Sequence, residues 1–464
     1  MLTHLEGQFS ETVEAQPELV AHHFAEAGLT EQAVDYWQKA GQSAIQRSAH
    51  VEAIGHLRQG LELLTMLPET PERPQREVEM HIALGASLIA TKGYGAPEVE
   101  QTYSRAQHLC QYLDDPHQLF PVLRGLWHYY HARAELQTAQ ELGEQILTVA
   151  QQVQDSVMLE TAHHAVGATL SWLGAVASAH THLAQGLTLY DLQQHRASAF
   201  FYGEDTGVFC RSYAAMTLWS LGYPDQGLMR SEEAVTLAQQ SAHPFSLDYA
   251  LCWAAGFHQC RRDVRASQEH AEAAISLAKE QGFPYLMAIS SILRGWALTQ
   301  QGQAQEGIEQ LHQGLTTYRA TGAEIGRPYY LAFLAEAYGT LGQPEAGLTV
   351  LTEALTLMDT TGERVSEPEL YRLKGALLFQ QSLENHLEAE TCFQQAMAIA
   401  QSQQAKSWEL RAATSLARLW QQQGKRTEAR ELLAPVYGWF TEGFDTADLI
   451  DAKVLLDELE RSWE

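Results

Sequence analysis

What the chain has little of bounds it first. Cysteine occurs only at Cys110, Cys210, Cys252, Cys260 and Cys392, an odd number with no CxxC spacing. That excludes a disulfide framework and a zinc ribbon, and leaves small buried residues suited to a reducing cytosol. Basic residues are scarce: 30 lysines and arginines against 57 aspartates and glutamates give a net charge of −27. A field of that sign argues against broad contact with nucleic acid or an anionic membrane. No stretch approaches the roughly 18 unbroken apolar residues of a spanning helix, and MLTHLEGQFSETVEAQPEL lacks the basic start and apolar run of a secretory signal. The expectation is a soluble, cytoplasmic protein. With only 14 prolines and 45% apolar residues in 464, the chain can bury a continuous core and is not disordered. A single core rarely grows past about 250 to 300 residues, so the length implies several domains or one elongated array.

What is there is a repeat. In LGQPEAGLTVLTEALTLM, the small Gly347 is followed four places on by the large Leu351 and seven places on by the small Ala354. Those positions share one helix face, where small residues admit a neighbouring helix and the large one fills the gap beside it. The same triplet stands at Gly307/Leu311/Gly314, Ala266/His270/Ala273, Gly227/Ser231/Ala234 and Ala389/Phe393/Ala396. Its anchors, Val99, Ala139, Ala179, Gly227, Ala266, Gly307, Gly347, Ala389 and Ala429, recur about every 40 residues apart from one gap of 48 after Ala179, the mark of a helical array. Each unit places a helix before the anchor helix, joined by turns such as LGYPDQ, QGQAQ and LGQPE, where glycine ends one helix and proline or a polar residue starts the next. The expected fold is all-α, a right-handed superhelix of antiparallel helix hairpins.

Taken in order, Leu2, Leu5 and Phe9 are spaced for an amphipathic helix that begins without a polar cap, so residues 1–70 read as hairpins from the middle of something longer. Pro17 opens PELVAHHFAEAG, Gly28 closes it, and Thr30 is the candidate N-cap of the next helix. The three prolines of PETPERPQ predict a loop. Repeats are expected over 71–190 and 208–440. Between them, 191–207 lose the helical period and read as an ordered insertion packed by Phe200, Phe201 and Tyr202. Residues 441–464 supply a charged helix that caps the stack.

These units resemble tetratricopeptide repeats. Leu334 and Tyr338 match the Leu and Tyr of the family's first helix, Gly295 its glycine, and the triplets its second helix, in units of about 40 residues where the family has about 34. The stretches QPELVAHHFAEAGLTEQAVDYWQKAG, ATKGYGAPEVEQTYSRA and LARLWQQQGKRTEARELLAPVYGWFTEGFDTADL are similar to the C-terminal arm of bacterial signalling proteins. Those carry a class III adenylate or guanylate cyclase and a STAND-type AAA ATPase. The resemblance implies a regulatory arm whose partner is such a module, in cis or in trans.

Neither module's chemistry is legible in the chain. Gly424-Lys425 is preceded by LARLWQQQ and followed by arginine, so it is no phosphate-binding GxxxxGK[ST] loop, and no convincing strand could hold a cyclase's metal-binding aspartates. GEDTG at 203–207 lacks the strand and helix that a phosphate loop needs. His22-His23, His163-His164 and His180/His182 point to different sides of a helix and cannot chelate one ion unaided; HExxH is absent. No metal, cofactor or catalytic set is expected. Arg261, Arg262 and Arg265 form either a site for an acidic partner or a solvated helix end.

In tetratricopeptide arrays the first helix of each hairpin lines the concave side. Transferring groove positions by distance from each anchor gives Arg124, His128, His131, His164, Trp172, Trp219, Asp248, His258, Trp296, Tyr329, Glu336, Tyr371, Lys374, Arg411 and Arg418. Aromatic and arginine side chains are frequent anchors of recognition surfaces. The expectation is a non-enzymatic scaffold that docks a protein or peptide in an open groove. The alternative is a sensor of a small-molecule effector, which predicts a closed aromatic pocket of roughly 300 to 1,000 Å³.

Overall fold

A computed structural model of the chain describes residues 16–193 and 202–461, and among these the secondary structure is helical throughout, with no strand. The helices run α1 Pro17–Glu26, α2 Thr30–Gln46, α3 His50–Met66, α4 Arg73–Lys92, α5 Pro97–Cys110, α6 Pro116–Ala132, α7 Leu136–Val153, α8 Ser156–Trp172 and α9 Val176–Leu189. There follow α10 Thr206–Leu221, α11 Pro224–Ser241, α12 Pro244–Cys260, α13 Val264–Gln281, α14 Pro284–Gln300, α15 Ala304–Ala320, α16 Arg327–Thr340 and α17 Pro344–Thr361. The last are α18 Glu367–Gln381, α19 His386–Ser402, α20 Lys406–Gln422, α21 Arg426–Tyr437 and α22 Ala447–Glu460. From α2 on, an even-numbered helix pairs with the odd-numbered one after it, and α22 packs on α20 and α21. The fold is a tetratricopeptide-like superhelix.

The small anchors do what their spacing implies. A Cβ on Gly307 would meet the Gly295 carbonyl oxygen at 2.7 Å, one on Gly347 the Ala335 oxygen at 2.9 Å, and one on Gly227 the Ala215 oxygen at 2.9 Å. In each hairpin, then, the first helix lays a backbone carbonyl against the first turn of the second, where no larger side chain fits. One register differs. Ala266 is only half-buried, while Ser267, Ala271 and Ala274 are buried, and Ser267 Oγ donates to the Ala255 carbonyl at 2.9 Å. The triplet in α13 therefore starts one residue later than expected, because Asp263 caps the helix by accepting from the Ala266 N–H at 3.1 Å. The turn inside most hairpins holds one left-handed residue: glycine at 174, 222, 302, 342 and 424, and Ser48, Ala134 or Arg262 elsewhere.

Three local expectations are corrected. Thr30 is the first helical residue of α2, not its cap, and Leu29 precedes it without a side-chain bond. PETPERPQ is not all loop, since α4 already begins at Arg73 with Pro74 in its first turn, where a missing N–H costs nothing. GEDTG at 203–207 is a helix entry: Asp205 caps α10 by accepting from the Gly207 N–H at 3.1 Å. Phe200 and Phe201 of the expected insertion lie outside the described residues.

The superhelix is wound so tightly that successive turns touch. The Ala132 carbonyl, at the end of α6, accepts the Glu324 and Ile325 N–H groups at 2.8 and 3.0 Å, and the Trp172 carbonyl, at the end of α8, accepts those of Arg364 and Val365 at 2.8 and 3.3 Å. The Trp219 carbonyl of α10 accepts from Ser407 Oγ, 188 residues on, and the Cys260 carbonyl of α12 from Arg411 Nη2. Helix C-termini leave their last carbonyls without intrahelical partners. Here four consecutive even-numbered helices have these groups satisfied by the next turn of the superhelix. Arg262 extends the seam to Asp448 at 3.4 Å and Asp451 at 2.9 Å on α22, and Arg261 reaches Asp445 at 3.6 Å. The arginine run is thus largely a clamp between turns: Arg261 is buried, Arg262 stays partly exposed while it pairs, and Arg265 lies exposed beside Glu269.

Candidate functional site

The even-numbered helices face a central channel, which the inter-turn seam converts from an open groove into a chain of adjoining cavities. The first has about 90 Å³ of free volume. Its wall is aromatic: Trp127, His128 and His131 from α6, His164 and Trp172 from α8, Phe209 and Tyr213 from α10, and Tyr249 and Trp253 from α12. Tyr285 of α14, Tyr318 of α15 and Tyr329 and Tyr330 of α16 complete it, with Tyr94 from the turn after α4. Spacing explains the density, since Phe209/Tyr213 and Tyr249/Trp253 are i,i+4 pairs that project from one face of adjacent helices. The Phe209 and Tyr249 rings stack at 3.6 Å between centroids, and Trp172 Nε1 donates to the Tyr213 hydroxyl at 3.2 Å.

Behind this wall lies a buried ion pair that braces it. Glu204 is held by Arg124, by His128 Nε2 at 3.0 Å and by the Tyr94 hydroxyl, which donates at 3.0 Å. Burial would raise the Glu204 pKa, but Arg124 and His128 outweigh it and hold the carboxyl well below its ordinary range. Arg124 also donates to the Tyr202 carbonyl at 3.2 Å, so the segment before α10 is pinned onto α6. Burial pushes His131 and His164 down to about 3, which leaves both rings neutral. Each has an Nε2 with no hydrogen-bond partner.

A second cavity of about 70 Å³ continues the first past Trp172, Tyr213, Trp253 and Tyr329, and is closed by Trp219 and Trp408 at 4.7 Å, edge to face. Arg411 covers both of these indoles, with its guanidinium 5.1 and 5.0 Å from their centroids. On its other side opens a third cavity of about 140 Å³, lined by four arginines (262, 372, 411 and 418) and by Glu336, Glu369, Asp448 and Asp451. Arg411 pairs with Asp448 at 2.8 Å and Glu369 at 3.6 Å, and Arg372 with Glu369 at 2.7 Å. Burial opposes ionisation of Glu369, yet Arg372 and Arg411 keep its pKa low. Glu336 has only the Trp296 indole N–H, at 3.2 Å, and burial raises its pKa against the pull of Arg372. The channel thus changes from apolar to charged along its length.

The structure brings many of the groove residues expected from sequence to these cavities and takes others away. His128, His131, His164, Trp172 and Tyr329 line the first, Trp219 the second, and Trp296, Glu336, Arg411 and Arg418 the third. Arg124 lies behind the wall. Asp248 is wholly buried, lines none of these cavities, and neither carboxylate oxygen has a hydrogen-bond partner; burial pushes it up to about 8. His258 stacks on His270 of its own hairpin at 5.2 Å and meets Asp263 at 3.5 Å. Tyr371 and Lys374 turn to Gln395 and Glu388 of α19. A fixed offset from the anchor selects one or two positions per helix, fewer than the side chains that reach these cavities. Tyr213, Tyr249, Trp253 and Tyr285 lie on first helices of their hairpins but off the transferred offsets; Tyr318 and Asp448 carry no such signal, because an outer helix and the last helix supply them.

The histidine pairs show no metal site: among the described residues no cluster of histidine, cysteine or carboxylate groups is arranged to hold an ion. His163 Nδ1 instead meets His182 Nδ1 at 3.1 Å. All five cysteines are buried thiols. No helix among the described residues is long and apolar enough to cross a membrane.

No family model matches the chain. It is 25% identical over 403 residues to an uncharacterised protein of Rhizobium meliloti (strain 1021), an alignment that covers 86% of this chain and 39% of the relative. The chain thus spans about two fifths of the length of the curated relative it matches. Among solved structures it resembles a Rap protein complexed with Competence and Sporulation Factor, with a TM-score of 0.60 and 13% identity over 81% of this chain and 99% of the other. That likeness is one of fold. A looser likeness, TM-score 0.37 at 12% identity, covers 94% of this chain and 74% of a STAND-type signal-transduction ATPase with a tetratricopeptide repeat sensor from Pyrococcus horikoshii.

Proposed function

We propose that the chain is a non-enzymatic scaffold that binds a short peptide or extended protein segment along its central channel, and that it serves as the sensor arm of a larger nucleotide-dependent signalling protein. The observation that carries this reading is the string of three small cavities on one path, aromatic at one end and charged at the other. Each is below the roughly 300 Å³ at which drug-sized sites begin, so successive side chains of one chain fit them better than a single compact effector does. An extended chain also presents backbone donors and acceptors for Arg418, Glu336 and the tyrosine hydroxyls along the path. The small-molecule alternative draws on the first cavity alone, whose aromatic wall would suit a compact ring. The signalling role rests on the resemblance of the repeats and on a relative with much additional chain. It makes the partner a cyclase or ATPase module, in cis or in trans.

Peptide-array capture followed by hydrogen exchange on the complex tests the reading. Protection should appear on α8, α10, α12, α16 and α20, which face the channel. Protection confined to the outer, odd-numbered helices would place binding elsewhere. Sequencing the genomic region that encodes the adjoining chain tests the signalling role, which fails if no nucleotide-binding module is found there.

A further inference from the structure

We infer that the charged cavity seats a carboxylate group of the bound segment, the side chain of an aspartate or glutamate or the segment's own C-terminus, between Arg372 and Arg411. The inference rests on the channel reading above and names the chemistry of its polar end. Three observations bear on it. The first is convergence. Arg372 Nη2 donates to Glu369 Oε1 at 2.8 Å, and Arg411 Nη1 approaches the same oxygen at 3.6 Å, so guanidinium groups from α18 and α20 meet at one point. Both side chains are largely buried, and of the three cavities they line only this one.

The second is the set of unmet donors. Arg372 uses Nε and Nη2 on Glu369, and Arg411 uses Nε on Asp448 and Nη2 on the Cys260 carbonyl. Among the described residues the Nη1 group of each has no hydrogen-bond acceptor, and neither belongs to the polar atoms that protein encloses completely. Both therefore border the free space. Arg418, half-exposed, makes no hydrogen bond among the described residues and reaches Asp451 only at 3.7 Å. A guanidinium presents its N–H groups as a planar fork that fits a carboxylate, and hydrogen bonds between such ionised partners are stronger than neutral ones. A carboxylate supplies the acceptors that these donors lack.

The third is the arrangement of charge, which decides between an anion and a cation. Glu369, Asp448 and Asp451 each already face two arginines. Glu336 is the one acid of the cavity that pairs with no arginine among the described residues, so it offers the one place for a cation. Arg372 and Arg262 nevertheless act on Glu336 through space, and both would repel a cation there. A carboxylate against the two Nη1 groups gains hydrogen bonds from two arginines and is opposed mainly by Glu336. The free volume of about 140 Å³, at roughly 10 to 15 Å³ for each water-sized occupant, admits such a group with its stem.

The test titrates small probes into the full chain and follows them by saturation-transfer NMR. They are propionate, acetyl-pentaalanine with a free C-terminus, its C-terminal amide, and two further amides in which the central alanine is replaced by glutamate or by lysine. At least one of the two carboxylate-bearing peptides should bind at least tenfold more tightly than the neutral amide and the lysine peptide. Which of them does so tells a chain terminus from a side chain. Arg372→Gln should erase that margin. Arg418→Gln removes no hydrogen bond, so it keeps the fold and should narrow the margin; it decides the matter if Arg372→Gln does not fold. Glu336→Gln should bind the carboxylate-bearing peptides at least as tightly as the parent does. Equal affinity for charged and neutral peptides, preference for the lysine peptide, or weaker carboxylate binding in Glu336→Gln would overturn the inference. So would a margin that persists in folded Arg372→Gln or is unmoved in Arg418→Gln, or the failure of every probe, propionate included, to bind. Propionate that binds and needs Arg372 while no peptide binds would sink the peptide reading and leave the carboxylate site standing. Peptides that protect the channel helices from exchange without regard to their charge would overturn the carboxylate site alone.

Discussion

The Arg364 N–H donates to the Trp172 carbonyl at 2.8 Å, across two successive turns of the superhelix. One residue is the last of α8; the other sits in the loop after α17. Trp172 also lines both aromatic cavities, so the contact that winds the superhelix shut is made by a residue of the candidate site. Closure of the channel and its shape are therefore one property.

The tightest point of the seam gives the first prediction. A Cβ on Gly95 would lie 2.5 Å from both the carbonyl carbon and oxygen of Gly322, and neither backbone can yield without moving its turn. Gly95→Ala should therefore cost about 1 to 3 kcal/mol as overpacking and should part the two turns. Urea unfolding reads the first effect, and the radius of gyration in solution scattering reads the second. An unchanged radius together with an unchanged midpoint would mean that the turns do not touch there.

The seam also marks where the sequence stops being informative. Helix pairing, the period and the small-residue contacts follow from local spacing, so Gly307 and Gly347 could be placed from three residues each. Contacts between superhelical turns join residues such as Trp219 and Ser407, 188 apart, and depend on a winding angle summed over several hairpins. No local pattern encodes that sum. For this reason the sequence leaves Arg262 between a site for an acidic partner and a solvated helix end, whereas in the fold it is a clamp on Asp448 and Asp451, and an expected open groove becomes a set of cavities.

Arg411 tests the charged end. It is buried, pairs with Asp448 and Glu369, and covers Trp219 and Trp408. Arg411→Met keeps much of the stem but removes one of two arginines from each of two buried carboxylates, leaving Glu369 to Arg372 and Asp448 to Arg262, so a loss of about 1 to 3 kcal/mol is expected. Adding Asp448→Asn should recover part of that loss, because one carboxylate fewer is left underpaired. Strict additivity of the two changes in denaturant unfolding would argue that the pair is not coupled.

Two buried acids should respond to pH with opposite sign. Asp248 is raised from 3.8 to about 8 by burial, so the folded chain keeps a proton that the unfolded chain releases. Its contribution to stability is full below about pH 4 and is lost as pH rises towards 8. Glu204 is depressed below its usual 4.5, burial notwithstanding, by Arg124 and His128. Its contribution is present above that value and is lost as pH falls through the folded pKa. Asp248→Asn should thus gain on the parent protein, by a few kcal/mol, between pH 4 and 8. Glu204→Gln should be less stable than the parent at neutral pH and converge with it in acid. Unfolding free energies measured at pH 4.5, 6 and 8 decide the first and at pH 3, 4.5 and 7 the second, and profiles parallel to the parent's over its own range would contradict the environment that motivates either variant.

The last prediction separates recognition from packing among three tryptophans that the sequence ranks alike. Trp219 and Trp296 are buried, 3% and 2% exposed, whereas Trp172 is half-buried and faces two cavities. Truncating a buried tryptophan opens a void, so Trp219→Ala and Trp296→Ala should each cost about 3 to 5 kcal/mol of fold stability. Any loss of binding in them would be entangled with that. Trp172→Ala removes an indole whose ring already borders free space. It should be the mildest of the three in stability and should weaken a channel ligand by about 1 to 4 kcal/mol, with helix content unchanged by circular dichroism. The Arg364 N–H remains bonded, since it uses the Trp172 backbone and not the side chain. A folded Trp172→Ala protein that binds its ligand as tightly as the parent would remove the aromatic cavities from the binding path and leave the arginine-lined end as the place to look.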